Sequence, residues 1–167
     1  ITNATNLNIS YEGFTMLQYD DATVAADGST VVELYFDRDY HLMNFQLDGG
    51  YGVEPIYARY GKEFRVAKPT KAGYEFKEWS VVTDSSRTAE QNAQAEAIAE
   101  ALANGEAVTI PAFDIVFKAV WNTKNVSATV VFWYENANDD GYSYINHVTV
   151  ENLEADSEIS AETYKNL

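Results

Sequence analysis

The side chains that could do chemistry in this chain are few and scattered. It contains two histidines, His41 and His147, no cysteine, and 26 acidic residues against 11 basic ones. The two histidines belong to separate predicted strands, so we interpret each as an ordinary exposed strand histidine and not as a catalytic or metal-binding group. The lack of cysteine excludes a disulfide, a thiolate nucleophile and a Cys-based zinc site. We therefore expect no cofactor and no ordered transition metal.

No arrangement typical of an enzyme is apparent. The chain has no Ser-His-Asp order, no nucleophile elbow and no phosphate-binding loop. A pair of carboxylates could in principle hydrolyse a glycosidic bond, but with 26 acidic residues such a pair arises by chance and no spacing selects one. An enzyme that uses an acidic pair is the least favoured of three hypotheses, and we predict a protein without catalytic residues.

One acidic loop resembles the start of a calcium site. The loop from Asn136 to Gly141, Asn-Ala-Asn-Asp-Asp-Gly, has the oxygen-donor spacing of the first half of an EF-hand loop. Its first residue is Asn instead of Asp, and His147 occupies the twelfth position, where a Glu is required. We interpret the loop as a hairpin turn, with weak calcium binding as the open alternative.

Two other groups of side chains could recognise a ligand. The run Asp37-Arg38-Asp39 is interpreted as a polar joint in which Arg38 pairs with a neighbouring carboxylate at modest energy; a recognition patch is the alternative. The large aromatic residues are predicted to lie mostly in the core, although an exposed row that stacks on sugars remains open. The predicted core aromatics are Tyr74, Phe76, Trp79, Trp121 and Trp133.

The charge of the chain limits its partners. The formal net charge is −15, which argues against nucleic acid, since phosphate contacts need clustered Lys and Arg. Anionic membrane surfaces are disfavoured for the same reason, and no apolar run is long enough to span a bilayer. Strong acidity keeps an exposed protein soluble. We expect a piece of a longer secreted protein, because Ile1 does not resemble a native start and no signal peptide is present.

The elements that would position these side chains are mostly short strands. Met43, Phe45 and Leu47 alternate with polar residues and predict a strand that ends in the turn Asp48-Gly49-Gly50. Residues 56–60 alternate again, so the two runs predict a hairpin. Gly73 is expected to turn the chain so that Tyr74, Phe76 and Trp79 point inward. The final strand of this region carries Ile115, Phe117, Ala119 and Trp121.

Within residues 40–122 one helix is predicted, over residues 89–103, which are rich in Ala, Glu and Gln. Thr88 is the expected N-cap, with Gln91 completing a capping box, and Asn104-Gly105 ends the helix. Ala95, Ile98 and Leu102 form a narrow apolar stripe. We therefore expect a surface helix that packs only lightly on the sheet.

The flanking segments repeat parts of this pattern. In residues 11–39, Asp27-Gly28 predicts a turn between strands at residues 22–26 and 31–36. In residues 123–167, Val130, Phe132 and Tyr134 alternate, Asp140-Gly141 supplies a turn, and residues 144–150 follow as a strand. Asp156 or Ser157 is expected to cap a short helix from Ser160 to Tyr164. The order is half, whole, half, which is typical of a repeat.

The ordered set of these motifs resembles the InlB B-repeat family, also called the Listeria–Bacteroides repeat. The residues that carry the resemblance run from Phe45-Gln-Leu-Asp-Gly-Gly through Tyr57-Ala-Arg-Tyr-Gly and Gly73-Tyr-Glu-Phe-Lys-Glu-Trp to Ile110-Pro-Ala and Ala119-Val-Trp. The match covers residues 40–122, and no single piece of it is specific. It departs from the family at Glu78, where a Gly is usual, and in the long insert between Trp79 and Ile110.

The resemblance implies an α+β, β-rich chain of tandem β-grasp-like repeats with one short Ala-rich helix in the central repeat. It implies three parts: the C-terminal half of a preceding repeat (1–39), a complete repeat (40–122) and the N-terminal half of a following repeat (123–167). The implied function is a structural spacer or an adhesive, ligand-binding segment of a bacterial cell-surface or secreted protein, with an extracellular location. Its partners would be a surface protein or glycan and neighbouring repeats. A carbohydrate-binding module with exposed aromatic side chains is the alternative.

The two half-repeats suggest a pairing. Each has strands with unpaired edges and an apolar face that it cannot bury alone. We expect residues 11–38 to pair with residues 127–150, with a ladder between residues 31–36 and 129–134. Pairing between neighbouring molecules, as a head-to-tail contact, is favoured slightly over pairing within one chain. Two independent small hairpin domains are the remaining possibility.

Overall fold

The computed structural model describes residues 9–18 and 20–165, and this part of the chain is α+β and rich in strands. It forms an N-terminal hairpin, a central unit with a four-stranded sheet and one α-helix, and a C-terminal hairpin. In chain order the elements are β1 (Phe14–Met16), β2 (Phe36–Arg38), β3 (Tyr40–Gln46), β4 (Ile56–Arg59), β5 (Glu63–Phe64), β6 (Tyr74–Val81), α1 (Ala89–Ala103), β7 (Val108–Thr109), β8 (Ile115–Thr123), β9 (Asn125–Glu135), β10 (Tyr142–Glu154) and a short 3-10 helix, Ala161–Thr163.

The central sheet has the strand order β4-β3-β8-β6. The two middle strands, β3 and β8, are parallel, with Met43 opposite Ile115 and Phe45 opposite Phe117. The two outer strands are antiparallel to their neighbours. The predicted alternation of β3 and β8 is confirmed, because these four side chains are all buried. A separate two-stranded sheet joins β5 to β7.

The predicted turn after β3 is also confirmed. Asp48 and Gly49 both have positive φ angles, 50° and 83°, and the N–H of Gly50 donates to the carbonyl of Leu47 at 2.9 Å. Glycine and, less readily, aspartate tolerate this left-handed backbone. The turn leads into β4, which pairs with β3 as the predicted hairpin.

A β-bulge in β6 places two aromatic residues on one face. Phe76 lies opposite Trp121 and Trp79 lies opposite Ala119, and the register shifts between Phe76 and Glu78. Three residues apart on a regular strand, Phe76 and Trp79 would point to opposite faces. The extra residue at the bulge brings their ring centroids to 5.0 Å.

The helix forms over the predicted residues, but it packs more deeply against the sheet than predicted. Thr88 accepts from the Gln91 N–H at 3.2 Å, and the Gln91 side chain accepts from the Thr88 N–H at 2.9 Å. This capping box confirms the predicted N-terminus. The prediction of light packing is wrong, because Ala95, Ala99 and Leu102 are all buried in the core with Ile98. Small alanines let the helix approach the sheet closely.

The core of the central unit joins the sheet to the helix. Trp79 is 4% exposed and contacts Phe45 edge to face, with ring centroids 5.1 Å apart. Phe45 in turn stacks on Phe117. The predicted burial of Trp79 is confirmed. Trp121 is only half-buried, and its indole N–H donates to the carbonyl of Leu47 at 3.0 Å.

The N-terminal hairpin differs from the prediction. Its strand pair is short, with β1 antiparallel to β2 and Phe14 opposite Arg38. The predicted turn is present at Gly28, with a φ of 76°. The predicted strands at residues 22–26 and 31–36 are wrong, since only Phe36 of these residues lies in a strand. A run of alternating apolar residues forms a strand only where a neighbour can pair with it.

The C-terminal hairpin is formed by β9 and β10, as predicted, with Val148 opposite Val130. Its aromatic residues differ from the prediction, because Trp133 is 56% exposed and does not lie in a core. The predicted helix after it is one 3-10 turn with Ser160 at its N-cap, and no side chain caps it. Pairing of the two hairpins within one chain is wrong for the described residues, where each forms its own two-stranded sheet.

Each hairpin joins the central unit through a pair of backbone hydrogen bonds, and the two pairs connect equivalent positions. At the N-terminal joint, the Asp39 N–H donates to the Gly13 carbonyl at 2.9 Å and the Tyr60 N–H donates to the Asp39 carbonyl at 2.7 Å. At the C-terminal joint, the Lys124 N–H donates to the Gly73 carbonyl at 2.9 Å and the Ala155 N–H to the Lys124 carbonyl at 3.2 Å.

This correspondence extends along the strands. Pairing of Phe14 with Arg38 in the N-terminal hairpin matches pairing of Tyr74 with Thr123 in the central sheet. The pairs Tyr40–Arg59 and His41–Ala58 of the central sheet match Asn125–Glu154 and Val126–Leu153 of the C-terminal hairpin. By position, β1 and β2 correspond to β6 and β8, and β9 and β10 correspond to β3 and β4.

Candidate binding surface

The C-terminal hairpin extends beyond the part that corresponds to the central unit. The two segments can be aligned by matching Lys124 with Asp39, which form equivalent hydrogen bonds. In this alignment Gln46, the last residue of β3, corresponds to Val131. Strand β9 continues to Glu135, and β10 begins at Tyr142. The residues from 132 to 146 therefore form an addition that the central unit lacks. It carries four exposed aromatic side chains: Trp133, Tyr134, Tyr142 and Tyr144.

Two of these aromatics form a small exposed cluster with a histidine. Trp133 and Tyr144 are cross-strand partners, with ring centroids 5.9 Å apart at 77°. The Tyr144 hydroxyl lies 2.7 Å from His147 Nδ1. Because strand residues alternate between faces, Trp133 and Phe132 point to opposite sides of the hairpin. The aromatic cluster (Trp133, Tyr144, His147) thus lies on the face opposite the half-buried Phe132.

The loop at the hairpin tip is a closed turn. The Asn136 N–H donates to the Gly141 carbonyl, and the Asp139 N–H donates to the Asn136 carbonyl. Asn136 Oδ1, the first ligand in the calcium interpretation, accepts a hydrogen bond from the Ser143 hydroxyl. The hairpin-turn interpretation is confirmed, and Asp139, with a φ of 56°, takes the strained position in the turn.

The aromatic cluster has the chemistry of a weak contact surface. An indole face and a phenol edge offer apolar area, and the tyrosine hydroxyl and imidazole offer hydrogen bonds beside it. Such a surface can stack on the apolar face of a sugar ring or on an aromatic or proline side chain. The acidic residues at the tip, Glu135, Asp139 and Asp140, disfavour an anionic ligand.

A second cleft in the central unit contains His41 and the helix N-terminus. It encloses about 450 Å³ and includes Arg87, whose side chain is 4% exposed. Arg87 Nε lies 4.0 Å from Asp84 Oδ2, and Arg87 Nη1 is buried without a hydrogen-bond partner. His41 Nδ1 lies 3.4 Å from Asp114 Oδ1, which also accepts the Leu42 N–H at 2.9 Å. Sequence patterns gave no sign of this cleft.

The Asp37-Arg38-Asp39 run lies at the N-terminal joint, as predicted, but its contacts differ. Arg38 forms no ion pair among the described residues; it donates to the Tyr60 carbonyl at 3.0 Å and lies over the Phe14 ring. The predicted pairing with a carboxylate is therefore wrong. Asp39 accepts a hydrogen bond from the Thr15 hydroxyl at 2.6 Å.

A shallow groove of about 360 Å³ lies beside this joint. Tyr40 and Tyr57 stack there with ring centroids 5.2 Å apart, and the Arg59 Nε–H donates to the Tyr40 hydroxyl at 3.0 Å. These residues belong to β3 and β4, whose pairing brings them together. The groove is an aromatic surface with a cation beside it.

The two histidines are not brought together, since His41 lies in the central unit and His147 in the C-terminal hairpin. Residues 9–18 and 20–165 contain no cluster of three or more His, Cys, Asp or Glu side chains suited to holding a metal. No helix in the described part of the chain has the length and apolar character needed to cross a membrane. Comparison with known protein families, characterised proteins and solved structures finds no match to this chain.

Proposed function

We propose that the chain is a non-catalytic repeat module that acts as a structural spacer or adhesive segment of a bacterial cell-surface or secreted protein. The observation that carries this proposal is the joint that occurs twice, between Gly13 and Asp39 at one end of the central unit and between Gly73 and Lys124 at the other. A joint used at both ends of one unit propagates a chain of units.

The proposed architecture is a series of β-grasp-like repeats. Support comes from the mixed sheet with a parallel central pair and from the helix packed on it. In this architecture residues 1–39 are the second half of one repeat, residues 40–122 are a complete repeat, and residues 123–167 are the first half of the next. The resemblance to InlB B-repeats supports the same division.

An extracellular, surface-exposed location fits the chemistry of the chain. A net charge of −15 favours solubility and repels nucleic acid and anionic membranes. A catalytic role is disfavoured by the separation of the two histidines between units. We infer partners of two kinds: neighbouring repeats through the joints, and a surface protein or glycan through exposed aromatic residues.

The spacer proposal is tested at the C-terminal joint. A Cβ on Gly73 would lie 2.9 Å from the Ala155 Cβ, and Gly73 has a φ of +77°. A two-stranded hairpin is marginal alone, so Gly73→Ala should lower hydrogen-exchange protection across residues 125–154 while the central sheet keeps its protection.

The matched control is the double variant with Ala155→Gly, which removes the clash and leaves the backbone strain. It should recover part of the protection, with an interaction energy of about 0.5–3 kcal/mol between the two positions. Protection of the hairpin that is unaffected by Gly73→Ala would mean that the joint does not hold it, and the spacer proposal would fail.

A carbohydrate-binding module is the second candidate function, favoured by the exposed contact of Trp133 with Tyr144. Trp133 lies on a well-formed strand and is more than half exposed. The exposed part of its indole is apolar area that no other residue of the described chain covers. A sugar ring that stacks on the indole would cover it. Acidic sugars are disfavoured by the neighbouring carboxylates.

A panel of neutral glycans tests this function. Trp133→Ala should abolish binding without changing the melting temperature, because the indole supports no core. Tyr51→Ala, which removes an exposed aromatic from the central unit outside both candidate surfaces, is the control and should bind as wild type does. Binding lost equally in both variants, or absent in wild type, would count against the carbohydrate function.

A further inference from the structure

The cleft between His41 and the N-terminus of α1 contains a buried charge that nothing in the described chain satisfies. The Arg87 side chain is 4% exposed, and its Nε and Nη1 atoms have no hydrogen-bond partner among the described residues. Asp84 Oδ2, at 4.0 Å from Arg87 Nε, is beyond hydrogen-bonding distance. A guanidinium cannot lose its proton, so its burial without a partner is costly. A ligand that accepts hydrogen bonds from Arg87 would offset this cost.

Two closed turns hold Arg87 in place. Before it, Asp84 Oδ1 accepts the Ser86 N–H at 2.9 Å and the Ser86 hydroxyl at 2.7 Å, and the Arg87 N–H donates to the Asp84 carbonyl at 3.3 Å. After it, the capping box at Thr88 begins the helix. All of these residues belong to the insert at residues 80–109, by which the sequence departs from the repeat family that it resembles. The insert therefore positions a buried cation that the resemblance does not account for.

The sheet supplies the rest of the cleft. His41 of β3 and the residues just before β8, Phe113 and Asp114, line it together with Arg87. The parallel pairing of β3 with β8 brings them close, and His41 Nδ1 lies 3.4 Å from Asp114 Oδ1. His41 Nε2 is a second buried polar atom without a hydrogen-bond partner among the described residues. The Arg87 guanidinium carbon lies 5.8 Å from the centroid of the Phe113 ring, which gives the cleft an apolar side.

The charges of the cleft differ in exposure. The cation Arg87 is buried, whereas the side chains of Asp84 and Asp114 are 46% and 66% exposed. The hydrogen bond from the Ser86 hydroxyl, together with that from the Ser86 N–H, holds the pKa of Asp84 below its usual 3.8, so Asp84 is a carboxylate at neutral pH. One buried positive charge therefore lies beside two more exposed negative charges.

This charge pattern disfavours a ligand with a single charge. An anion would be attracted by Arg87 but repelled by Asp84 and Asp114, and a cation would be repelled by Arg87. A ligand with a carboxylate and an ammonium close together matches both signs. Its carboxylate can accept paired N–H groups of the guanidinium. Both Ser86 hydrogen bonds go to Asp84 Oδ1, which leaves Asp84 Oδ2 as the acceptor for the ammonium.

We propose that this cleft binds a free α-amino acid as its zwitterion, with the carboxylate on Arg87 and the ammonium on Asp84. The Phe113 ring offers an apolar surface to the side chain of the ligand. The cleft volume of about 450 Å³ lies within the range of about 300–1,000 Å³ that is typical of small-molecule sites. Every residue of the site belongs to the central unit, so the site goes beyond the proposed function and does not depend on the repeat architecture.

The charge pattern is tested by titrating the isotope-labelled full chain with glycine and with alanine, using the Arg87 Nε–H resonance as the readout. Acetate carries the carboxylate alone, methylammonium carries the ammonium alone, and glucose carries hydroxyl groups without charge. Both amino acids should shift the Arg87 resonance. Each comparison compound should bind about tenfold more weakly or worse, because it lacks at least one charge-assisted hydrogen bond.

The role of Asp84 is tested by Asp84→Asn, which keeps an oxygen for the Ser86 hydrogen bonds and removes the charge. It should weaken alanine binding by about tenfold, because the ammonium loses its partner, and it should strengthen acetate binding, because a repulsion is removed. Asp27→Asn is the matched control, since Asp27 Oδ1 accepts the Ser29 N–H at 3.0 Å and the Ser29 hydroxyl at 2.7 Å in an equivalent turn outside the cleft. It should leave both titrations unchanged.

The role of Arg87 is tested by Arg87→Lys, which keeps the charge and removes the paired N–H groups. It should weaken alanine binding by about tenfold or more, measured from the ligand signals. Arg65→Lys, at an exposed position, is the control and should bind as wild type does. Melting temperatures show which variants are folded, and the Asp84 comparison decides the question if Arg87→Lys is not.

Three outcomes would overturn the site: an Arg87 resonance that neither amino acid shifts, acetate, methylammonium or glucose binding as tightly as alanine, or equal effects of Asp84→Asn and Asp27→Asn. None of these would affect the Gly73 experiment, which tests the joint between the central unit and the C-terminal hairpin.

Discussion

Gly13 lies directly against the ring of Tyr60, so a Cβ at position 13 would stand 2.3 Å from Tyr60 Cγ. The neighbouring Phe14 ring meets Tyr60 edge to face, with centroids 5.8 Å apart. The Gly13 carbonyl accepts the Asp39 N–H at the same place. The N-terminal joint therefore depends on a residue that has no side chain.

A comparison of two glycines isolates this contact. Gly13 and Gly28 have nearly equal φ angles, 75° and 76°, but nothing lies within 4 Å of a Cβ built on Gly28. Gly28→Ala should cost about 1–2 kcal/mol locally, from the left-handed backbone alone. Gly13→Ala should cost about 1–3 kcal/mol more, because Tyr60 must shift.

Amide exchange of β1 and β2 measures this difference, since the N-terminal hairpin can open while the central sheet stays folded. Equal loss of protection in the two variants would show that the Tyr60 contact does not stabilise the joint.

The C-terminal joint is expected to be sensitive to alkaline pH. The Tyr74 hydroxyl donates a hydrogen bond to Asp156 Oδ2, and this bond raises the pKa of Tyr74 above its usual 10.0. A raised folded-state pKa stabilises the protein fully below pH 10, and this contribution is lost as pH rises through the folded pKa. Protection of residues 125–154 should therefore fall above pH 10 in wild type. Tyr74→Phe should lack this alkaline step and be less protected at neutral pH; an unchanged step would assign it to another group.

The sequence predicted the central unit well because its signals are local. The alternation in β3 and β8, the glycine turn at Gly49 and the capping box at Thr88 each depend on neighbours within a few residues. The depth of helix burial was missed because Ala95 and Ala99 are small. In the sequence, small side chains give only a weak apolar stripe, yet in the structure they permit a close contact between the helix and the sheet.

The errors in the flanks have a different physical origin. Residues 31–36 have the alternation of a strand, but the described chain gives them no parallel neighbour. The sequence pattern is present, and the pairing that would make these residues a strand is not. Trp133, predicted to lie in a core, is exposed because its strand extends past any part of the described chain that could cover it. The burial of a side chain depends on which residues pack against it, and the sequence of one segment does not show which residues these are.

The capping box gives a prediction for the helix. Thr88→Ala removes the acceptor of the Gln91 N–H and should cost about 1 kcal/mol, within a range of about 0.5–2 kcal/mol. Thr88→Ser keeps the hydroxyl, so it should lower the free energy of unfolding by only a few tenths of about 1 kcal/mol. Urea denaturation of both variants measures the difference. A Ser variant as unstable as the Ala variant would mean that the methyl group, and not the cap, is what matters.

The strongest prediction compares the two tryptophans that differ most in burial. Trp79 contacts Phe45 and Phe76 at centroid distances of 5.1 and 5.0 Å and is 4% exposed. Trp79→Ala should lower the free energy of unfolding by about 3–5 kcal/mol, which includes the cavity it leaves. Since small domains have only about 5–15 kcal/mol in total, this loss is a large fraction of the stability and should lower the urea midpoint markedly.

Trp133→Ala removes the same side chain from a surface that is 56% exposed, so it should change the free energy of unfolding by no more than about 0.5 kcal/mol. Urea denaturation monitored by far-UV circular dichroism measures both variants on the same baseline. If Trp133→Ala proved as destabilising as Trp79→Ala, the C-terminal hairpin would have a partner that covers its aromatic face. If Trp79→Ala proved mild, the sheet and helix could not share the core described for the central unit.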